Sequence, residues 1–143
     1  MKQSSAFTLI ELIFVIVVLG ILAAIALPKF ASTKEMADLA KGRTDIATIR
    51  AAISNERSEQ VIKGTYTYMT KLSSGTGLFN GDGARTLLKY PMKSGTASGE
   101  WSKVNDTTYK FWVGTTSTTF MYNKDNGTFT CTANTEKCNA LSN

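Results

Sequence analysis

Polar and apolar positions divide the chain into three regimes. From Phe7 to Leu27 the run FTLIELIFVIVVLGILAAIAL carries a single charge, Glu11, and meets no breaker before Pro28. As a helix it would span roughly 31 Å, enough to cross the hydrocarbon of a bilayer. After Pro28 the pattern stays helical and becomes two-sided. Met36, Leu39, Ile46, Ile49, Ile53 and Val61 recur at helical spacings, while Lys34, Lys41, Arg43, Arg50 and Arg57 take other faces. One helix is expected to run to about Lys63 and to end before Gly64. Gly20 and Pro28 are expected points of kinking or loosening, because one lacks a side chain and the other an amide donor. Ser32-Thr33-Lys34-Glu35 offers a cap for a fresh start after Pro28. Gly42 weakens the helix by about 1 kcal/mol relative to Ala.

The stretch from Thr65 to Gly99 is rich in Gly, Ser and Thr, with Tyr66, Tyr68, Leu72, Leu78, Phe79, Leu87, Leu88 and Tyr90 scattered through it. It reads as a long connection with a short helical turn near Ala84 to Lys89. From Glu100 the period changes to two. Tyr109, Phe111 and Val113 alternate with Lys110 and Trp112, and Phe120 and Tyr122 alternate with Thr119, Met121 and Asn123. Lys124-Asp125-Asn126-Gly127 is a hairpin turn leading into a strand from Thr128 to Thr132. With a shorter strand near Trp101 to Val104, this predicts an antiparallel meander of three or four strands. One face would cover the helix stripe, an α+β arrangement in which neither layer is stable alone.

Composition narrows the chemistry. Among 143 residues there is no His, so the commonest general base and the commonest metal ligand are both missing. No residue set forms a nucleophile, base and orienting group, and an enzyme is not expected. Asn80-Gly81-Asp82-Gly83 supplies one carboxylate, lacks the wider ligand spacing of a cation loop, and reads as a turn. No cofactor or metal is expected. The net charge of +5 is spread along the chain without a basic block. The two cysteines, Cys131 and Cys138, lie in a small loop-rich segment beyond an apolar N-terminal run, and a disulfide is expected there, in an oxidising compartment. Closing so short a loop would stabilise the fold by roughly 2.5 kcal/mol.

Three readings compete for the apolar run: a cleaved secretory signal, an ordinary anchor, or a segment that lives first in a membrane and then in a protein assembly. Ala24-Ile25-Ala26 resembles a signal cleavage site, but the run is longer than a usual h-region and only Lys2 precedes it as a basic side chain. Nothing about anchoring requires Glu11, and an ionised carboxylate in lipid costs on the order of 2.5 kcal/mol or more. Lys2 on one side and Lys29 and Lys34 on the other leave the positive-inside argument near a tie. The expected disulfide favours an N-terminus in the cytoplasm and a C-terminal region on the oxidising side.

The stretch FTLIELIFVIVVLGILAAIALPKF, with its Phe-Thr-Leu-Ile-Glu start, Gly20 with a small-residue tract, and Pro28, resembles the N-terminal signature of type IV pilins and the pseudopilins of type II secretion. The resemblance implies a leader at 1–6, cut between Ala6 and Phe7 by a prepilin peptidase that also N-methylates Phe7. Ala6 stands where the family's leader usually ends in Gly. It further implies a transmembrane and assembly helix at 7–27, an amphipathic continuation at 28–63 and a globular region at 64–143, in a pilin-like fold. Glu11 then acquires a partner, the new α-amine of Phe7 on a neighbouring copy, and each buried charge compensates the other. Beside this stands the plainer reading of a carboxylate snorkelling at the membrane boundary.

The implied function is a structural subunit of a pilus-like filament, for which a type II secretion pseudopilin and a minor pilin of a DNA-uptake or adhesion pilus are alternatives. The modest C-terminal region favours the pseudopilin, while the calcium-binding loop of a major secretion pseudopilin is not evident. The implied partners are other pilins, the peptidase, a platform protein of the bacterial inner membrane and an assembly ATPase, with the C-terminal region periplasmic. A reading of another class is a membrane-anchored module binding DNA or polysaccharide. Trp101, Trp112, Tyr109 and Tyr122, with Lys103, Lys110 and Lys124, would then form its stacking surface.

Overall fold

The structure is a computed structural model that describes residues 7–132 and 136–142. The leader at 1–6, including Ala6, lies outside the described residues. Helix α1 spans Leu9–Ile62 without interruption and includes Pro28. The fresh start after Pro28 does not occur. The hydroxyls of Ser32 and Thr33 each donate to the Lys29 carbonyl at 3.0 Å, an i−3 or i−4 bond inside a continuing helix, so neither serves as a cap. Gly64, in the left-handed region at φ 80°, ends the helix. Its N–H bonds the Val61 carbonyl at 3.0 Å and the Thr65 N–H bonds the Gln60 carbonyl at 2.8 Å, the paired bonds of a Schellman stop.

The chain divides into two compact units, Met1–Lys34 and Glu35–Asn143. In the second, α1 buries Gly42, Ile46, Ile49 and Ile53. Leu39 packs partly against the core, while Met36, 63% exposed, and Val61, 40% exposed, do not join it. The buried stripe is therefore shorter at both ends than the hydrophobic pattern.

Gly42 is more than a flaw in the helix. A Cβ there would lie 2.5 Å from the Phe111 ring and 2.6 Å from a Leu141 methyl group, so the missing side chain lets two core residues touch the helix backbone. Gly42→Ala would gain up to about 1 kcal/mol of helix propensity and overpack the core by about 1–3 kcal/mol. The expected result is a net loss of about 1 kcal/mol in thermal or urea unfolding. A more stable variant would show that Phe111 and Leu141 repack freely.

Strands β1 (Trp101–Lys103), β2 (Thr108–Val113), β3 (Thr116–Asn123) and β4 (Thr128–Cys131) form one antiparallel sheet in sequence order. The register pairs Trp101 with Phe111, Tyr109 with Phe120 and Tyr122 with Phe129. Alternation thus sends Trp101, Tyr109, Phe111, Val113, Phe120, Tyr122 and Phe129 into one buried layer with Ile46, Ile49 and Ile53. The arrangement is the expected α+β, pilin-like one, a long apolar helix with a four-stranded sheet.

The connection from 65 to 100 is folded and its helical turn near Ala84 to Lys89 is absent. Isolated bridges pair Leu78 with Met92 and Gly81 with Thr86, and Met69, Leu72, Leu78, Phe79 and Leu87 are buried. The Asp82 carboxylate accepts the N–H groups of Ala84 at 3.1 Å and Arg85 at 2.8 Å, holding as a turn the backbone that a helix would need. A second helix, α2 (Glu136–Ser142), follows the sheet. The disulfide between Cys131 and Cys138 joins it to β4, and Arg43 donates to its Ala140 carbonyl.

Candidate assembly site

The start of α1 explains Glu11 in part. Thr8 precedes the first helical residue, and its hydroxyl oxygen accepts the Glu11 N–H at 3.3 Å while donating to Glu11 Oε2 at 3.4 Å. The Leu12 N–H makes the first helical bond, to the Thr8 carbonyl, at 3.2 Å. Thr8 and Glu11 thus occupy the positions of a capping box, and the carboxylate sits in the first turn, where the helix dipole favours a negative charge. Phe7, 77% exposed, precedes the helix, four residues before Glu11 in the chain. An 18-residue window of α1 reaches a mean hydropathy of 3.0 with none of it buried, which is long and apolar enough to cross a membrane. Gly20 lies within this surface, and a Cβ there would meet nothing within 4 Å.

The DNA- or polysaccharide-binding surface is not assembled. Trp101, Tyr109 and Tyr122 are buried in the core and offer no face to a base or sugar. Trp112 is half-buried and donates through Nε1 to Ser102 at 3.0 Å. Lys103 is engaged by Asp106 at 2.7 Å and by the Ser73 carbonyl at 3.2 Å. Of the four aromatics, Trp101, Tyr109 and Tyr122 belong to the inward half of the strand pattern, and Trp112 alone lies on the other face.

One cluster escaped the sequence reading. Glu56, on α1, is buried beside Arg85, whose Nη1 lies 3.4 Å from Glu56 Oε1. The same guanidinium pairs with Asp82 at 3.2 Å and donates to the carbonyls of Thr67 at 3.1 Å and Tyr68 at 2.9 Å. Burial works to raise the Asp82 carboxyl, but the backbone N–H of Arg85, its side chain and the N–H of Ala84 outweigh it and hold the group below the ordinary value of 3.8. Glu56 continues the stripe of Ile46, Ile49 and Ile53 at helical spacing and is marked as inward by it, whereas Asp82 and Arg85 lie in the connection, where no periodicity runs.

Tyr122 stands near this cluster and donates its phenol to the Met69 carbonyl at 3.0 Å. Burial, and then the Glu56 charge, push its pKa from 10.0 up to about 12. A folded-state pKa above the unfolded one binds the proton more tightly in the native protein. The stabilisation is therefore complete below pH 10 and is lost as pH rises from there through about 12. Unfolding midpoints measured across this window are expected to fall, and the fall should shrink in Tyr122→Phe. An equal fall in that variant would assign it elsewhere.

Comparison with known proteins agrees with this picture. The prokaryotic N-terminal methylation motif matches residues 1–27. The chain is 44% identical over 52 residues to the type II secretion system core protein G of Pseudomonas aeruginosa, covering 36% of this chain and 37% of that protein. It is 42% identical over 53 residues to the protein of the same name from Vibrio cholerae, covering 37% and 36%. The match to that of Pectobacterium carotovorum is 36% over 74 residues, covering 48% and 47%. Each match spans less than half of the relative's own length. No solved structure matches. The chain thus carries the N-terminal methylation motif and is similar, over about a third to a half of its length, to type II secretion system core protein G of several bacteria.

Proposed function

We propose that the chain is a structural pseudopilin subunit of a type II secretion filament, without catalysis of its own. The observation that carries this is the methylation motif placed on an apolar helix whose membrane-length surface is wholly uncovered. A prepilin peptidase cuts between Ala6 and Phe7 and methylates the Phe7 amine. The helix is held in the inner membrane with its N-terminus cytoplasmic and the disulfide-bearing region periplasmic. Assembly, driven through a platform protein and an ATPase, moves α1 from lipid into contact with other pseudopilins, and Glu11 of one copy meets the Phe7 amine of another. Gly20 and Pro28 are the points at which α1 loosens to fit its neighbours. The mass of the mature N-terminus tests the reading. N-methyl-Phe7 is expected, whereas a chain beginning at Leu27 would mean ordinary secretion and one beginning at Met1 a plain anchor.

A further inference from the structure

Two hairpin turns carry the triplet Asn-x-Thr: Asn105-Asp106-Thr107 between β1 and β2, and Asn126-Gly127-Thr128 leading into β4. As sequence the triplet is a weak signal, because threonine is abundant in the chain. The structure gives both copies the same form. Asn105 Oδ1 accepts the Thr107 N–H at 3.0 Å and the Thr107 hydroxyl at 3.3 Å. Asn126 Oδ1 accepts the Thr128 N–H at 3.1 Å and the Thr128 hydroxyl at 2.7 Å. Each is an Asx turn closed by the threonine side chain. Both asparagines are exposed, and among the described residues neither Nδ2 has a hydrogen-bond partner. Two other asparagines lack this combination. Asn80 has Oδ1 and Nδ2 both taken by the Ser74 backbone, and Asn123, whose Oδ1 accepts the Asp125 N–H, has no hydroxyl two residues on. The end of β3 lies between the two turns, since the Tyr122 N–H bonds the Thr107 carbonyl at 2.7 Å and Asn123 pairs with Thr128. Thr107 and Thr128 line one groove of about 430 Å³ there, with Met121, Thr130 and Thr132.

Asn-x-Thr on a surface loop is the acceptor pattern for N-linked sugar in exported proteins. The chemistry needs an accessible amide nitrogen that can lose a proton as it attacks. Two donors on Oδ1 stabilise the negative charge that gathers on the carboxamide oxygen in that step, and the same two bonds hold the amide in one orientation. We propose that Asn105 and Asn126 are glycan acceptors, modified by a transferase that uses a lipid-linked sugar pyrophosphate. Nδ2 forms a bond to the anomeric carbon, and the bond from that carbon to the pyrophosphate oxygen breaks, its electron pair leaving with the pyrophosphate. A base of the transferase takes the amide proton, and no oxidant or reductant is needed. The inference rests on the proposed export of the disulfide-bearing region and adds a covalent modification to its filament role.

The test is mass spectrometry of the full-length chain purified from its native cells. Peptides containing Asn105 and Asn126 are expected to be heavier than their sequences by the mass of a sugar chain. Fragmentation by electron transfer, which leaves side-chain sugars in place, should assign the added mass to those two asparagines and leave Asn123 bare. Thr107→Val and Thr128→Val should each lose the increment of their own triplet although the asparagine remains, while Thr128→Ser should keep it. Bare peptides at both sites in the wild-type chain overturn the proposal, as does added mass on the neighbouring threonines instead of the asparagines. Full modification in both Val variants would also overturn it, because the hydroxyls would then have no part. The N-terminal peptide of the same sample reads the proposed function separately: N-methyl-Phe7 with bare asparagines overturns the glycan acceptors alone.

Discussion

Glu11→Gln is expected to leave the proposed cleavage between Ala6 and Phe7 intact and to lower filament yield by on the order of 100-fold. The magnitude follows from leaving one member of a buried ion pair alone, which costs about 3–5 kcal/mol per contact. The structure makes Gln the informative choice. Thr8 and Glu11 form a capping box at the start of α1, and Gln serves that box nearly as well as Glu. The cap therefore survives in the variant while the charge does not. Glu11→Val removes both, and is expected to add a frayed first turn to the same assembly defect. Pelleted filaments measure the yield, and the mature N-terminal mass shows that processing is unaffected. Normal filaments from the Gln variant would leave the carboxylate with only its local role at the helix end, and the charge-pair account would fall.

That dual role shows how far the sequence was legible. The membrane-length run, the Gly64 stop and the inward faces of β2 and β3 all rest on strong local signals: hydropathy, a left-handed glycine, and alternation. They were readable because each is decided within a few residues. Gly42 was read as a propensity loss because the close approach of Phe111 and Leu141 comes from residues far along the chain. The turn at Asn80–Gly83 is legible, but Ala84 to Lys89 looks helical because capture of the Ala84 and Arg85 N–H groups by the Asp82 carboxylate leaves no trace in hydrophobic spacing. Helix α2, at seven residues, is too short for a period to emerge, and only its buried Cys138 and Leu141 mark its inner face. Glu56 lies on the buried stripe of α1, but only the folded connection brings Arg85 beside it.

Trp101→Ala is expected to lower the unfolding midpoint of the globular unit by roughly 15–30 °C, from a loss of about 3–5 kcal/mol. Trp101 is 1% exposed and its ring lies 5.0–5.9 Å from those of Phe79, Phe111, Phe120 and Phe129. It joins the connection, the sheet and α1 at one point, because its Nε1 also donates to Asp45 Oδ2 at 3.1 Å. Strand β1, only three residues long, pairs with β2 along its length, and Trp101 is its one buried side chain. Removing the indole leaves a cavity among aromatic rings that are too stiff to close it. Asp45 would keep its ion pair with Lys41 at 3.0 Å, so the lost packing dominates over the lost hydrogen bond. Trp101→Phe, which retains most of the ring volume, is expected to cost about 1–2 kcal/mol. Far-ultraviolet circular dichroism of the detergent-solubilised full chain would follow the melt. A shift below about 5 °C for the Ala variant would mean that Trp101 is not the junction of the core, and would return it to the surface role that burial now denies it.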